Sequence, residues 1–445
     1  MARIVNYSIQ LLAIFLLFGC GGTTPVPKAP PKQVDSPPLT VNAVNIYLEN
    51  SASMDGYLPK GEDSNFRRAI SRLSVMLLNH YEGKVSVKFI NNKIDEIDSL
   101  SREKIDLKNL ARDLPRLWDM GAELRRKNPA AADTELHKIY EEILSRTDDQ
   151  TISILFSDCI PSAGGGGVLA ALAIQRDLTL ATFNNILRRG EFTTTILKMT
   201  SHFNGRYFPY TGDRNVFTVN MERPYYLVIV ANRHIMNDFN GKSGLNLEAL
   251  DGYSDKYVLS SEEPTGIYYT ALMATGMEGR FRQGREYNNR TINYVRGITG
   301  VEPPRNGTLS FSVAVDFSRL PVGNDYLLNP DNYVVTTNNF DIEDIKPIGA
   351  IDIKPVDKAK IDVDRLTHVI RLRAKTRAAN NVDFALKKQM PEWIEVFNSE
   401  DDTRRENLIN KTFGLKYWVE GIAKSYEVQY PGNENYFVGR ITIGR

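Results

Sequence analysis

The chain reads as an α/β protein built on a doubly wound, mostly parallel sheet and followed by a β-rich, sandwich-like C-terminal domain. Three observations predict it. Short apolar strands alternate with helical stretches from Val41 to about Gly241, the pattern of a parallel sheet covered on both faces. Strand-type runs separated by Pro, Gly, Asn and Asp return from Gly307 onward. The chain has 445 residues, 42% of them apolar, enough for two or three domains and a sizeable core.

The first 40 residues stand apart from the fold. Arg3 precedes an apolar run, Ile9 to Phe18, too short to span a bilayer but suited to a signal-peptide core. It ends in Leu17-Phe18-Gly19-Cys20, which resembles a bacterial lipobox and implies cleavage after residue 19 and acylation of Cys20. Acyl chains, palmitate among them, supply the anchoring that a short apolar segment cannot. Residues 20–40 carry Pro25, Pro27, Pro30, Pro31, Pro37 and Pro38 with few large apolar groups, and read as an extended, semi-rigid tether. The protein is therefore expected in the cell envelope, lipid-anchored to the outer membrane. The residues after Cys20 hold no acidic cluster, which favours the periplasmic face. Lipidation leaves Cys159 as the single thiol, read as a small buried hydrophobe.

Residues 41–241 form the predicted α/β domain. Strands are expected at Val44–Leu48, Val85–Ile90, Ile152–Phe156, Thr194–Met199 and Tyr225–Val230. Phe66, Ile70, Leu73 and Leu77 define one helix after the N-cap candidate Ser64, and Leu136, Ile139, Tyr140, Ile143 and Leu144 another. Val168 to Arg189 reads as a third. Residues 242–300 show little periodicity and read as an irregular connection. Within 301–445, strands are expected at Leu309–Phe317, Tyr333–Thr337, His368–Lys375, Val382–Lys387, Tyr426–Tyr430 and Tyr436–Ile443, with a helix over Arg405 to Tyr426.

The chemistry concentrates at the end of the first strand, in Glu49-Asn50-Ser51-Ala52-Ser53. Alternate side chains of an extended segment project to one side, so Glu49, Ser51 and Ser53 can converge. In open α/β sheets ligands bind beyond the carboxyl ends of strands. Asp158 follows another apolar strand at such an end, and Thr134 opens the helix preceding that strand. This constellation resembles the Asp-x-Ser-x-Ser metal-ion-dependent adhesion site of von Willebrand factor A domains, with Glu49 in place of the aspartate. The resemblance implies a Rossmann-like sheet and a Mg²⁺ or Mn²⁺ ion touched by Ser51, Ser53 and Thr134. Asp158 would act directly or through water, with Glu49 in an outer shell. It also implies a protein partner that offers an acidic side chain to the ion. A degenerate site, with Glu49 and the serines bonding the loop, is the alternative, since one added methylene matters to near-octahedral Mg²⁺.

Other function classes find less support. The five histidines are scattered, with no zinc spacing, and no Gly-x-Ser-x-Gly elbow occurs. The chain is read as a binding protein and not an enzyme, a hydrolase centred on Ser51 and Asp158 being one alternative. A carbohydrate- or wall-binding lipoprotein using the C-terminal β domain is the other. The net charge of +1 gives no sign of a nucleic-acid partner. Arg280, Arg282, Arg285, Arg290 and Arg296, interleaved with Phe281, Tyr287 and Tyr294, read as a solvated or interdomain surface. Ala163 to Gly167 reads as a loop, lacking the Gly-Lys-Ser/Thr ending of a phosphate-binding loop. Replacing Cys20 with Ser is expected to abolish labelling by radioactive palmitate and to move the protein from the membrane to the soluble fraction of fractionated cells.

Overall fold

The computed structural model describes residues 40–59, 61–91, 94–96, 106–127, 135–161, 167–210, 216–261, 266–284 and 294–444. Cys20, Thr134 and Ala163 to Gly166, singled out in the sequence, lie outside the described residues, as do Arg285, Tyr287 and Arg290.

The N-terminal part is a seven-stranded sheet. Its strands are β1 (Ala43–Glu49), β2 (Val85–Ile90), β3 (Ile94–Glu96), β4 (Thr151–Ser157), β5 (Phe192–Tyr207), β6 (Phe217–Asn232) and β7 (Tyr253–Ser260), in the order β3-β2-β1-β4-β6-β5-β7. Helices α1 (Asn65–Leu78), α2 (Leu110–Lys127), α3 (Leu136–Ser145), α4 (Val168–Leu187) and α5 (Arg233–Asn240) flank it. β1 is buried on both faces: Val44, Ile46 and Leu48 join the cluster under α1 and α2, and Tyr47 joins the cluster under α3 and α4. α1 begins where Ser64 accepts a hydrogen bond from the Arg67 N–H, and its buried stripe is Phe66, Ile70, Leu73 and Leu77.

The sheet is mixed, and the expectation of a mostly parallel sheet is corrected here. Only β1–β2 and β1–β4 pair in parallel; β2–β3, β4–β6, β6–β5 and β5–β7 are antiparallel. The strands expected at Thr194–Met199 and Tyr225–Val230 are halves of two sixteen-residue strands paired throughout their length. The connection between them, residues 208–216, is shorter than a parallel crossover needs, so the chain folds back as a hairpin. The missed signal is a period of two: Ser201, Phe203, Tyr207, Val219 and Arg223 are buried among more exposed neighbours.

The expected irregular connection at 242–300 is also corrected. It holds β7 at the sheet edge and then β8 (Tyr269–Ala271), β9 (Arg280–Gln283) and β10 (Gly297–Glu302). The β-rich part adds β11 (Ser310–Val315), β12 (Tyr333–Val335), β13 (Phe340–Pro347), β14 (His368–Ala374) and β15 (Val382–Lys387). Two-residue strands β16 (Asn398–Ser399) and β17 (Thr412–Phe413) follow, then β18 (Asn435–Ile443). One sheet has the order β12-β15-β18-β10-β9 and a second β13-β14-β11-β8. Both feed a single hydrophobic cluster, with Phe384, Phe437 and Ile441 from the first sheet and Phe311, Val313 and Leu372 from the second. Arg296, expected at a surface, lies over the Tyr269 ring at 4.0 Å and the Tyr294 ring at 4.5 Å.

Short helices α6 (Asn324–Leu328), α7 (Pro355–Lys358) and α8 (Glu392–Val396) precede the last helix, α9 (Leu415–Gln429). The expected helix over Arg405 to Tyr426 is displaced: Arg405–Leu408 is one 3₁₀ turn, and the helix runs through the strand expected at Tyr426–Tyr430. Gly414, at φ +72°, turns the chain into α9. α9 leaves the β part and packs on α4 of the first sheet, burying Trp418, Val419 and Ile422 with Tyr140, Phe183 and Tyr226. α4 is apolar around most of its circumference, and this partner covers one side of it.

Gly421 sits where the two helices meet most closely. A Cβ there would lie 2.5 Å from the Arg176 carbonyl and 2.9 Å from Thr179 Cβ. Gly421→Ala is expected to push α9 off α4 and cost about 1–3 kcal/mol, read from the midpoint of urea unfolding.

Candidate strand-end site

β1 and β4 run side by side and end together, with Leu48 opposite Phe156. β1 delivers Glu49; the Asn50 N–H then bonds the Ile90 carbonyl at 2.7 Å, holding the chain extended. A 3₁₀ turn over Ala52–Tyr57 follows. Its Gly56 lies so close to β5 that a Cβ would be 2.3 Å from Phe203 Cζ. The turn's base is pinned by Tyr57, whose hydroxyl donates to the Pro224 carbonyl at 2.5 Å and whose carbonyl accepts from Ser64 Oγ at 2.8 Å. At the end of β4, Cys159 adopts φ +52°, an uncommon conformation for a non-glycine residue. That turn directs Asp158 toward the Ser51–Ser53 segment, with Asp158 Oδ1 accepting the Ile160 N–H at 3.2 Å.

Four of the five sequence-predicted groups thus come together. Ser51 Oγ and Ser53 Oγ are hydrogen-bonded at 2.9 Å. Ser51 lies close enough to the Glu49 carboxyl, and Ser53 to that of Asp158, to favour their ionised forms. Ser157, the residue before Asp158, donates its hydroxyl to Glu49 Oε2 and accepts the Cys159 N–H at 2.8 Å. Glu49, Ser51 and Asp158 are buried, and Ser53 is half-buried. The two carboxyls and two hydroxyls form one polar patch across the ends of two parallel strands.

The electrostatics follow from burial. Desolvation raises the Glu49 carboxyl from 4.5 to about 8, reinforced by the neighbouring charge of Asp158 and opposed by the bonds from Ser157 and Ser51 and by Arg125. Asp158 is raised for the same first reason, opposed by Arg223 and by its hydrogen bonds. Two buried carboxyls this close cannot both ionise without an added positive charge.

The structure adds groups that sequence reading missed. Arg125 of α2, with its side chain 6% exposed, donates to Asn50 Oδ1 and to Asp55 Oδ1, the latter at 2.5 Å. Trp118 Nε1 donates to the same Asp55 oxygen at 2.9 Å. Asp55 therefore ties the turn to α2. The available signal was the spacing of Leu110, Leu114, Leu117, Gly121 and Arg125 along one helical face, interrupted to the eye by Pro115. Arg223 is 1% exposed, and its three guanidinium nitrogens have no hydrogen-bond partner among the described residues. It lies 4.6 Å from the Tyr207 ring centroid and is electrostatically coupled to Asp158, Tyr57 and Tyr207. Its signal was a charge at an inward position of an alternating strand. A cleft of about 630 Å³ opens over the turn, lined by Ala52, Asp55, Trp118, Arg125, Arg126 and Asn204.

The donor set fits a small hard cation. Octahedral Mg²⁺ holds oxygens at about 2.0–2.1 Å, which places adjacent ligands about 2.9 Å apart; Ser51 Oγ and Ser53 Oγ have that separation. Asp158 lies beside Ser53, while Glu49 is set back behind Ser51 and Ser157. Among the described residues no group of three or more His, Cys, Asp and Glu side chains is placed to hold a metal. Cys159 is buried with its thiol pushed well up by desolvation, and it is inert as a nucleophile. No protein-family model, curated protein or solved structure matches the chain.

The raised carboxyl has a consequence for stability. Between about pH 4.5 and 8 the native state keeps a proton on Glu49 that the unfolded chain releases. Stability therefore falls as pH rises through that window and levels off above it, and Asp158 acts in the same direction. In EDTA, Glu49→Gln is expected to melt close to wild type at pH 5 and several degrees above it at pH 9. Equal melting temperatures at pH 9 would contradict the assignment.

Proposed function

We propose that this chain is a cell-envelope binding protein that recognises an acidic side chain of a protein partner through a divalent cation at the strand-end site. Ser51, Ser53 and Asp158 would hold Mg²⁺ or Mn²⁺, with Glu49 behind them accepting the hydrogen bonds that orient Ser51. Thr134 would complete the set from the segment before α3. The observation that carries the proposal is the pair of serine hydroxyls at the edge length of an Mg²⁺ octahedron, beside two buried carboxyls whose charged forms desolvation disfavours. The cation would supply positive charge and leave a position open for the partner's carboxylate. The cleft beside the turn gives such a partner a place to dock.

The same proposal takes the seven-stranded part as a von Willebrand factor A-like domain and the two-sheet part as a β-sandwich. Acylated Cys20 would hold both at the outer membrane, on its periplasmic face, with residues 20–40 as tether. This division of labour gives the chain a binding role and no reaction to catalyse.

Magnesium or manganese is expected to raise the melting temperature of the wild-type protein by a few degrees, reversibly with EDTA. The stabilisation is roughly 2.7 kcal/mol at one hundred times the dissociation constant. Ser51→Ala is expected to remove the shift while melting normally in EDTA. A wild-type protein indifferent to both ions would overturn the cation.

A further inference from the structure

A cavity of about 1030 Å³ lies away from the strand-end site, along the outer edge of β7. Among the described residues β7 ends the seven-stranded sheet and pairs with β5 alone. Its backbone polarity can be read from two hydrogen bonds. The Thr200 N–H donates to the Gly252 carbonyl at 2.7 Å, so even-numbered residues of β5 turn their amides toward β7 and Thr195 turns toward β6. Val258, opposite Thr195, therefore points its N–H and C=O outward, and so does Lys256, opposite Leu197. The Val258 carbonyl agrees: it meets the Tyr436 hydroxyl at 3.4 Å. The N–H groups of Lys256 and Val258 have no backbone partner among the described residues.

The cavity wraps this edge on both faces. On one side Leu197, Met236 and Leu245 border it beside Val258. On the other, Tyr426 and Tyr430 border it beside Tyr257 and Leu259. Two wall charges are paired, Lys256 with Glu248 and Asp316 with Arg365 at 3.1 Å. Arg319, Lys388, Glu427 and Glu434 add charges of both signs, so the lining presents no single-sign field. It offers the outward N–H groups of Lys256 and Val258, the Val258 carbonyl being met by Tyr436, with apolar side chains bordering both faces of the strand.

We propose that β7 takes an extended peptide segment of a protein partner as an added strand, with alternate apolar side chains falling into the two recesses. Strand addition draws its affinity from the main chain and its selectivity from alternate pockets, which is the arrangement found here. A long edge strand left in a crevice would otherwise invite unselective pairing, and the crevice walls restrict what can reach it. The chain's own proline-rich segment is a poor occupant, because six prolines between residues 25 and 38 remove ladder donors. The proposal is independent of the strand-end site, with which the cavity shares no lining residue.

The test is selection of a displayed library of random dodecapeptides against the full chain, followed by synthesis of the enriched sequences. Saturable binding is expected, with slowed hydrogen exchange at the Lys256 and Val258 amides. N-methylation of the peptide at alternate residues is expected to weaken binding tenfold or more in one register and little in the other. Lys256→Pro, which removes one outward N–H, should weaken binding tenfold, whereas Lys256→Ala, which keeps it, should not. Should the proline variant fail to fold, the N-methylated peptides still decide. Ser51→Ala should bind peptide as wild type does, separating this surface from the strand-end site. No enrichment, binding indifferent to N-methylation in both registers, or protection of these amides by chitotriose in place of any peptide would overturn the proposal.

Discussion

Two carboxyls buried side by side, Glu49 and Asp158, constrain everything around the end of the parallel core. Neither can be charged at low cost in that position. The Ser157 hydroxyl at the end of β4 donates to Glu49 at the end of β1, and Ser51 and Ser53 lie beside the two carboxyls, so the two strand ends are tied to one another through polar groups. The turn over Ala52–Tyr57 depends on this lock and on its own anchors, the Tyr57 hydroxyl on Pro224 and Asp55 on α2. Its closeness to β5 leaves no room for a side chain at Gly56.

The positive charge nearby is arranged in an unusual way. Arg125 is committed to Asp55 and Asn50. Arg223 is buried against the faces of Tyr207 and Phe203 and has no hydrogen-bond partner among the described residues. Tyr207 in turn donates to buried Asp402, which comes from the loop before α9. Side chains from β1, β4, β5, β6 and the C-terminal segment thus form one buried polar cluster, and its charge is set by packing rather than by solvent. This cluster and the packing of α9 on α4 make the last third of the chain part of the structure that supports the site.

Much of the site was legible in the sequence because its groups are local. Glu49, Ser51 and Ser53 share one side of an extended segment, and a carboxylate after an apolar run marks the end of β4; both signals survive without knowledge of neighbours. The parallel core β2-β1-β4 was legible for the same reason, since its strands are continuous apolar runs. Strand direction beyond β4 was not. β5 and β6 are apolar for half their length and alternating for the rest, so the apolar halves alone looked like two separate buried strands. Arg125, Trp118 and Arg223 reach the site from elements whose placement depends on long-range packing, which no local pattern encodes. α9 was displaced in the sequence reading because its buried face touches α4, about 240 residues away in the chain.

The central claim is that the two serine hydroxyls and Asp158 surround a divalent cation. Anomalous diffraction from crystals grown with manganese tests it most directly. The account predicts one strong manganese peak about 2.1 Å from both Ser51 Oγ and Ser53 Oγ, on the side of Asp158. A site without manganese, in which the two hydroxyls keep the 2.9 Å bond to each other, or a peak bound elsewhere on the protein alone, would contradict it.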